Sequence, residues 1–520
     1  MKPRVIAAIV ILAGWFTGVG MMFRREYFRP HIERLAEAAL RVTPGAVFYA
    51  VMLGDKQIGF ASSTVDTAAT MIEQRDYLVA DIEAAGQTHR ATARTNVILT
   101  RTLRVRSFEA ELDADQAPVK VTGSVSGDTL LSYVLNPVPG QRGDTQHLKI
   151  GGPILLPTLV PLAVALESRP KVGRSYVLPL FDPVTMAPRD VRIVVQAETV
   201  FVVNDSSVLD SATGVWRGVL PDTVRAWRVA PETVGGAAAS WVDAQGRVVA
   251  SRQMGFELRR MPYEVAFENW RREVDIAAKA ARKAPTVAPG RDILEATAIA
   301  SNKRLTSRVP RLRVKLSGAS LAGYDLDGGR QRFHGDTLEV TREGMEALAP
   351  RYVPILNAAE RSRVADLKQE PFLEVNHREI VELAERLSSR TRDPRIIAER
   401  INRWVYDSVR KEVTVGIPSA LHVLRTRVGD CNEHTQLFVA LARAAGIPAR
   451  VAAGLVYLDG KFYYHAWPEV MLRGWVAADP TFGQFPADAS HLRIVTGGLA
   501  RQAELLRLVG NLRIQVLDPR

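Results

Sequence analysis

The chain has 520 residues, one cysteine, 68 basic and 56 acidic side chains, and a formal net charge of +12. That length is too great for a single core, so several domains are expected, and one cysteine excludes an internal disulfide. The basic excess is mostly arginine and spread along the chain, with no compact patch interleaved with aromatics, which argues against a nucleic-acid binder.

Residues 5–23 (VIAAIVILAGWFTGVGMMF) form an uncharged apolar run, long enough to cross a bilayer as a helix. No small-x-small cleavage site follows it, so residues 1–30 read as an uncleaved transmembrane anchor rather than a signal peptide. Lys2 and Arg4 precede the run and Arg24, Arg25 and Arg29 follow, so charge alone weakly favours a cytoplasmic body. A second apolar run, 151–166, is broken by Pro153, Pro157 and Pro161 and reads as buried segments of a folded domain.

Residues 40–275 read as many antiparallel strands, an open curved sheet or half-barrel. Val47 to Leu53 turns at Gly54-Asp55 and returns through Gln57 to Ala61, a hairpin signal, and Ala244-Gln245-Gly246 marks another. The run Trp241-Val242-Asp243-Ala244-Gln245-Gly246 resembles a late hairpin in the curved-sheet domains of bacterial envelope lipoproteins. His89, His147 and the carboxylates of this part show no catalytic spacing. A concave sheet could hold an apolar ligand or an envelope protein partner.

Residues 276–295, Ala-, Lys- and Pro-rich, read as a linker. Residues 296–365 read as a small β-module of about four strands, because Leu312-Arg313-Val314-Lys315-Leu316 alternates strictly.

The last part, 366–520, carries the helical signals. Asn376 reads as the cap of a helix to Ser388. Asp393-Pro394 is a strong helix start, and Ser419 begins a shorter helix. Asp430 and Glu433 have capping-box spacing, so a helix should run from Cys431 to about Ala445 and stop at Gly446. Cys431 then lies in the first turn, where free N–H groups and the helix dipole favour a thiolate and can also donate to an oxyanion. Ala449 to Leu458, the Asp459-Gly460 turn and Lys461 to Val470 read as a hairpin. A further short strand ends at Asp479-Pro480, so His465 and Asp479 can lie side by side. His434 could bind a metal with Cys431 or replace His465 as base, but a zinc site would want further ligands nearby. Neither a metal nor another cofactor is expected.

Four motifs here occur together: Gly429-Asp430-Cys431-Asn432-Glu433-His434; Ala442 to Arg450 (ARAAGIPAR); His465-Ala466-Trp467; and Trp475 to Thr481 (WVAADPT). Together they resemble the transglutaminase-like domain of bacterial envelope proteins, over about 390–490. The resemblance implies a papain-like core, with Cys431 as nucleophile, His465 as base and Asp479 as orienting residue. It also implies acyl chemistry at amide bonds of protein or peptide substrates, as a peptidase, amidase or transglutaminase, in a catalytic domain outside the cytoplasm. It does not identify an oxyanion-stabilising side chain. Trp404 is a candidate, although its helical spacing suits a core residue. The expected whole is a multidomain α+β protein of the inner membrane, single-pass, with a transmembrane helix, a large antiparallel β-domain, a small β-module and a periplasmic transglutaminase-like α+β domain. A catalytically inactive binding or scaffold protein on the same fold is the alternative.

Overall fold

The computed structural model describes residues 42–519 apart from 116–117, 137–142, 144, 168–169, 184–185, 233–237, 254, 284–292, 307, 415, 503 and 506–507. The first half is one sheet of β1 (Gly45–Leu53), β2 (Lys56–Thr67), β3 (Met71–Ala84), β4 (Gln87–Thr100), β5 (Val105–Ala114), β6 (Val119–Ser126), β7 (Leu130–Asn136), β8 (Thr145–Lys149), β9 (Ser175–Asp182), β10 (Ala187–Asp210), β11 (Val215–Pro231), β12 (Ala238–Asp243), β13 (Val248–Gln253) and β14 (Phe256–Met261). The 14 strands are ordered β8-β7-β6-β5-β4-β3-β2-β1-β14-β13-β12-β11-β10-β9. Two antiparallel meanders are thus joined where β1 pairs with β14. Both hairpins read from the turn residues are present, β1 with β2 and β12 with β13.

The sheet curves until its two edges approach each other. Leu155, after β8, bridges in parallel to Leu180 of β9. The Phe181 ring lies 5.7 Å from Phe108 of β5 and 5.9 Å from Tyr133 of β7. Between them sits the proline-broken run, with Leu156, Leu159 and Leu162 buried at the start of helix α1 (Val160–Glu167). Its prolines end extended segments and start the helix, and its aliphatic side chains fill the concave side.

Two expectations are corrected. The α+β class gives way to a mostly β structure, with 48% strand against 21% helix, because the long sheet outweighs a helical layer confined to one face of a smaller one. The single-pass inner-membrane reading, with its periplasmic catalytic domain, is also set aside. Among the described residues no helix is long and apolar enough to cross a membrane. The run 5–23 itself lies outside the described residues. The segment read as a linker begins inside helix α2 (Asn269–Lys283), as its alanines and lysines favour helix strongly enough to extend it.

The second half is built on β15 (Ile299–Ala300), β16 (Arg311–Ser317), β17 (Gln331–His334), β18 (Thr337–Thr341), β19 (Arg410–Lys411), β20 (Val428–Gly429), β21 (Ala449–Leu458), β22 (Lys461–Met471), β23 (Trp475–Ala477), β24 (Leu492–Thr496) and β25 (Arg513–Pro519). The central sheet is β15-β22-β21-β24, with β23 on β22. One face carries α3 (Arg378–Ser388), α4 (Pro394–Ser408), α5 (Ala420–Thr426) and α6 (Cys431–Ala444). There Leu437, Phe438 and Leu441 pack with Ile380, Ile401, Val451 and Val470. The other face is covered by the sheet β17-β18-β16-β25, whose Leu312, Val314, Leu338 and Val340 meet Leu455, Phe462, Leu492 and Ile494. Strand β16 alternates exposed and buried residues as its sequence requires, but its outer neighbour β25 comes from the C-terminus.

Candidate active site

Local chemistry sets the start of α6. The Asp430 carboxylate accepts the Asn432 N–H at 2.8 Å, and Glu433 Oε2 accepts the Asp430 N–H at 2.9 Å, so the capping box is complete. Gly429 makes this possible, since a Cβ there would lie 2.2 Å from Glu433 Cβ. Asp393 caps α4 and Ser419 caps α5, as their spacing implies. His377 rather than Asn376 caps α3, its ring nitrogen accepting the Glu379 N–H at 3.3 Å.

Cys431 is therefore the first residue of α6, and it keeps part of its surface open. Its thiol does not follow the helix-dipole expectation. Dense surroundings push it well above the ordinary range, the Asp430 carboxylate pushes the same way, and the Ala466 N–H donated to the sulfur only partly opposes them. Glu433 and Asp479 add to the upward push. The dipole argument counts backbone charge alone, whereas a capping box brings two carboxyl groups with it.

His465 stands on β22, buried, one residue before the Ala466 N–H that meets the sulfur. Its Nε2 donates to Asp479 Oδ2 at 2.8 Å. Phe482 stacks on the ring at 5.1 Å with 16° between planes, and Trp467 lies on it at 6.1 Å. Asp479 is fully buried in a turn just after β23. Its Oδ1 accepts the N–H groups of Thr481 at 2.7 Å and Phe482 at 3.0 Å. Burial would raise this carboxyl, but the charges and hydrogen bonds of His465 and His491 override it and hold Asp479 well below the usual carboxylate range.

The sequence reading did not single out His491. It is fully buried, with Nε2 2.8 Å from Asp479 Oδ2 and Nδ1 3.2 Å from Asp488 Oδ1. Its place follows from β24 pairing with β21, where Gly454 lies opposite both His465 and Arg493. A Cβ on Gly454 would fall 2.0 Å from the Leu492 carbonyl, so glycine allows the close approach that brings His491 to Asp479. The Gly at 454 was the only available signal, and it names no partner.

His465, Asp479 and His491 offer ligand atoms within 4.8 Å of one another, the one group among the described residues with metal-like spacing. Each ring nitrogen, however, meets the same carboxylate oxygen at a hydrogen-bonding 2.8 Å, and we read the cluster as proton-sharing. His434 is buried on α6 with Nδ1 2.7 Å from the Asp430 carbonyl, and burial pushes its ring toward neutrality. Trp404 packs on the helical core with the Arg427 guanidinium 4.3 Å over its ring, as a structural residue would.

Residues 381–480 match the family model described as the transglutaminase-like superfamily. No curated protein matched the chain. Among solved structures, a candidate cysteine protease from Cytophaga hutchinsonii is 16% identical with a TM-score of 0.27, covering 39% of this chain and 83% of that one. The periplasmic domain of TgpA from Pseudomonas aeruginosa is 21% identical with a TM-score of 0.23, covering 34% and 74%. A DUF1089 family protein from Pseudomonas aeruginosa is 14% identical with a TM-score of 0.22, covering 36% and 87%. Likeness at these scores carries no functional weight.

Proposed function

We propose that the transglutaminase-like domain at residues 381–480 works as a cysteine enzyme on amide bonds of protein or peptide substrates, with Cys431 as nucleophile, His465 as base and acid, and Asp479 as orienting residue. The observation that carries this reading is a division of labour on β22. His465 commits Nε2 to Asp479, and the next residue's N–H reaches the Cys431 sulfur. That leaves His465 Nδ1 as the nitrogen to serve the thiol.

Cys431 rests as a thiol, so its proton moves to His465 Nδ1 as the sulfur attacks the carbonyl carbon. The Cys431 N–H donates to the oxyanion, since the Asn432, Glu433 and His434 N–H groups already serve Asp430. His465 returns the proton to the leaving nitrogen as the C–N bond breaks, giving a thioester and a free amine. Water or an acceptor amine then attacks, His465 takes its proton, and the C–S bond breaks as His465 hands that proton to the departing sulfur, restoring the thiol. Water gives peptidase or amidase chemistry, and an amine gives transamidation.

With one cysteine in the chain, iodoacetamide reports on Cys431 alone. Because the Cys431 proton passes to His465 as the sulfur attacks, His465→Ala should slow alkylation at pH 7 by roughly tenfold or more. A profile like that of a free thiol, unaltered by His465→Ala, would overturn the reading and leave a binding protein on this fold. With a reactive Cys431, release of new amino groups against uptake of a labelled amine from casein separates the two outcomes.

A further inference from the structure

We infer that His491 is a positioning residue of the same site, a buried imidazolium that acts through Asp479 on His465; this rests on the cysteine-enzyme reading above. His491 presents a ring nitrogen to each of two carboxylates, Nε2 to Asp479 at 2.8 Å and Nδ1 to Asp488 at 3.2 Å. A ring that donates from both nitrogens carries two N–H groups and is a cation.

Both partners are suited to be ionised. Burial opposes charge on Asp488 too, yet its hydrogen bond and charge contact with His491 and the Ser490 donors bring it down to about 2. Burial would likewise drive the His491 ring toward neutrality, but its bonds to Asp479 and Asp488 outweigh this and raise it. Asp488 is itself anchored: its Oδ1 accepts from Ser490 N–H at 2.9 Å and Ser490 Oγ at 2.6 Å, and its N–H donates to Gln484 at 2.8 Å. The aromatic rings around His491 are Trp467 at 5.2 Å, Phe482 at 6.4 Å and His465 at 5.8 Å. The nearby Arg330 guanidinium is directed at the Ala487 and Asp488 carbonyls.

Two consequences follow for His465. Asp479 accepts four N–H donors, from His465, His491, Thr481 and Phe482, so its carboxylate is fixed in orientation and poorly able to take a proton from His465. The His491 charge also lies 5.8 Å, ring to ring, from His465, where it offsets part of the Asp479 charge. In an orienting carboxylate alone, that charge would be uncompensated.

The experiment uses the full chain. In histidine-selective ¹⁵N NMR of the wild type, at least one of the nine histidine rings should keep both ring protons above the pH at which an ordinary imidazole loses one. That signal should vanish in His491→Gln, and in Asp488→Asn it should be lost at lower pH. Iodoacetamide profiles of wild type and His491→Gln give the second readout. Losing a neighbouring positive charge makes protons harder to remove, so the limbs of the profile should move to higher pH, by on the order of one unit. A merely structural His491 would lower the rate and leave the limbs in place, which overturns the proposal. So does a wild type in which every ring loses a proton in the ordinary imidazole range, whether or not the variants fold. An unreactive Cys431 beside a persistent doubly protonated ring would sink the enzyme reading while leaving the ring's charge established.

Discussion

At Cys431 two rules of helix chemistry collide. The first turn of a helix favours an anion, and the capping residues that create the turn are anions themselves. In this chain the second effect, added to burial, wins, and the thiol is pushed up. The two contributions can be separated, because serine caps helices about as well as aspartate. In Asp430→Ser the side chain still accepts the Asn432 N–H, Glu433 still reaches the backbone, and only the charge beside the sulfur is lost. Removing a neighbouring negative charge favours the thiolate, so the thiol should titrate lower, by roughly half to one pH unit, and alkylation at pH 7 should quicken. Stability should change by only a few tenths of a kcal/mol in thermal unfolding. An unmoved alkylation profile would show that burial alone sets the thiol. The capping box was legible from Asp430 and Glu433 because it is written within four residues. The direction of the thiol shift was not, since it depends on what packs over that turn.

The secondary elements show the same divide between near and far. The helix starts at Asp393-Pro394 and Ser419, the turn at Asp459-Gly460 and the β21/β22 hairpin all follow from local residues, and the structure has each of them. The pairing of β24 with β21, which brings His491 to Asp479, joins residues about forty apart and leaves no periodic trace. Gly454 is where that pairing is vulnerable. In Gly454→Ala the new methyl would lie 2.0 Å from the Leu492 carbonyl, so β24 must move and take His491 with it. Overpacking of this kind costs roughly 1–3 kcal/mol. Here it should also slow alkylation of Cys431, because the strand that moves leads into the site. Gly460→Ala is the control. That glycine has φ of +92° with open space around its Cβ position, so alanine should lose stability through backbone strain and leave the alkylation rate alone. Equal alkylation rates in the two variants would mean that β24 does not position the site.

At the scale of the molecule, chain order and core membership part company. The sequence suggests a cut near residue 365, with a small β-module before it and the chemistry after it. In the structure β16 pairs on one side with β18 and on the other with β25 from the C-terminus, so the small sheet needs both ends of the second half. Its Leu312, Val314, Leu338 and Val340 form one core with Leu455, Phe462, Leu492 and Ile494 of the central sheet. Cys431 itself packs against that core. Alternation along β16 marks a half-buried strand, but nothing local pairs it with a segment about two hundred residues away. A fragment of residues 366–520 should therefore expose one whole face of the central sheet. Losing the cover from several fully buried aliphatic side chains removes about 1.5–3 kcal/mol for each, which is comparable to the entire stability of a small domain. It should bind an apolar dye, lack a cooperative melt and be digested quickly by a nonspecific protease. A fragment of residues 296–520 keeps both sheets and should melt in a single transition with a protected core. A cooperative melt and an alkylation profile for 366–520 matching the full chain would show instead that the small sheet is an independent module, with no part in holding Cys431, His465 and Asp479 in register.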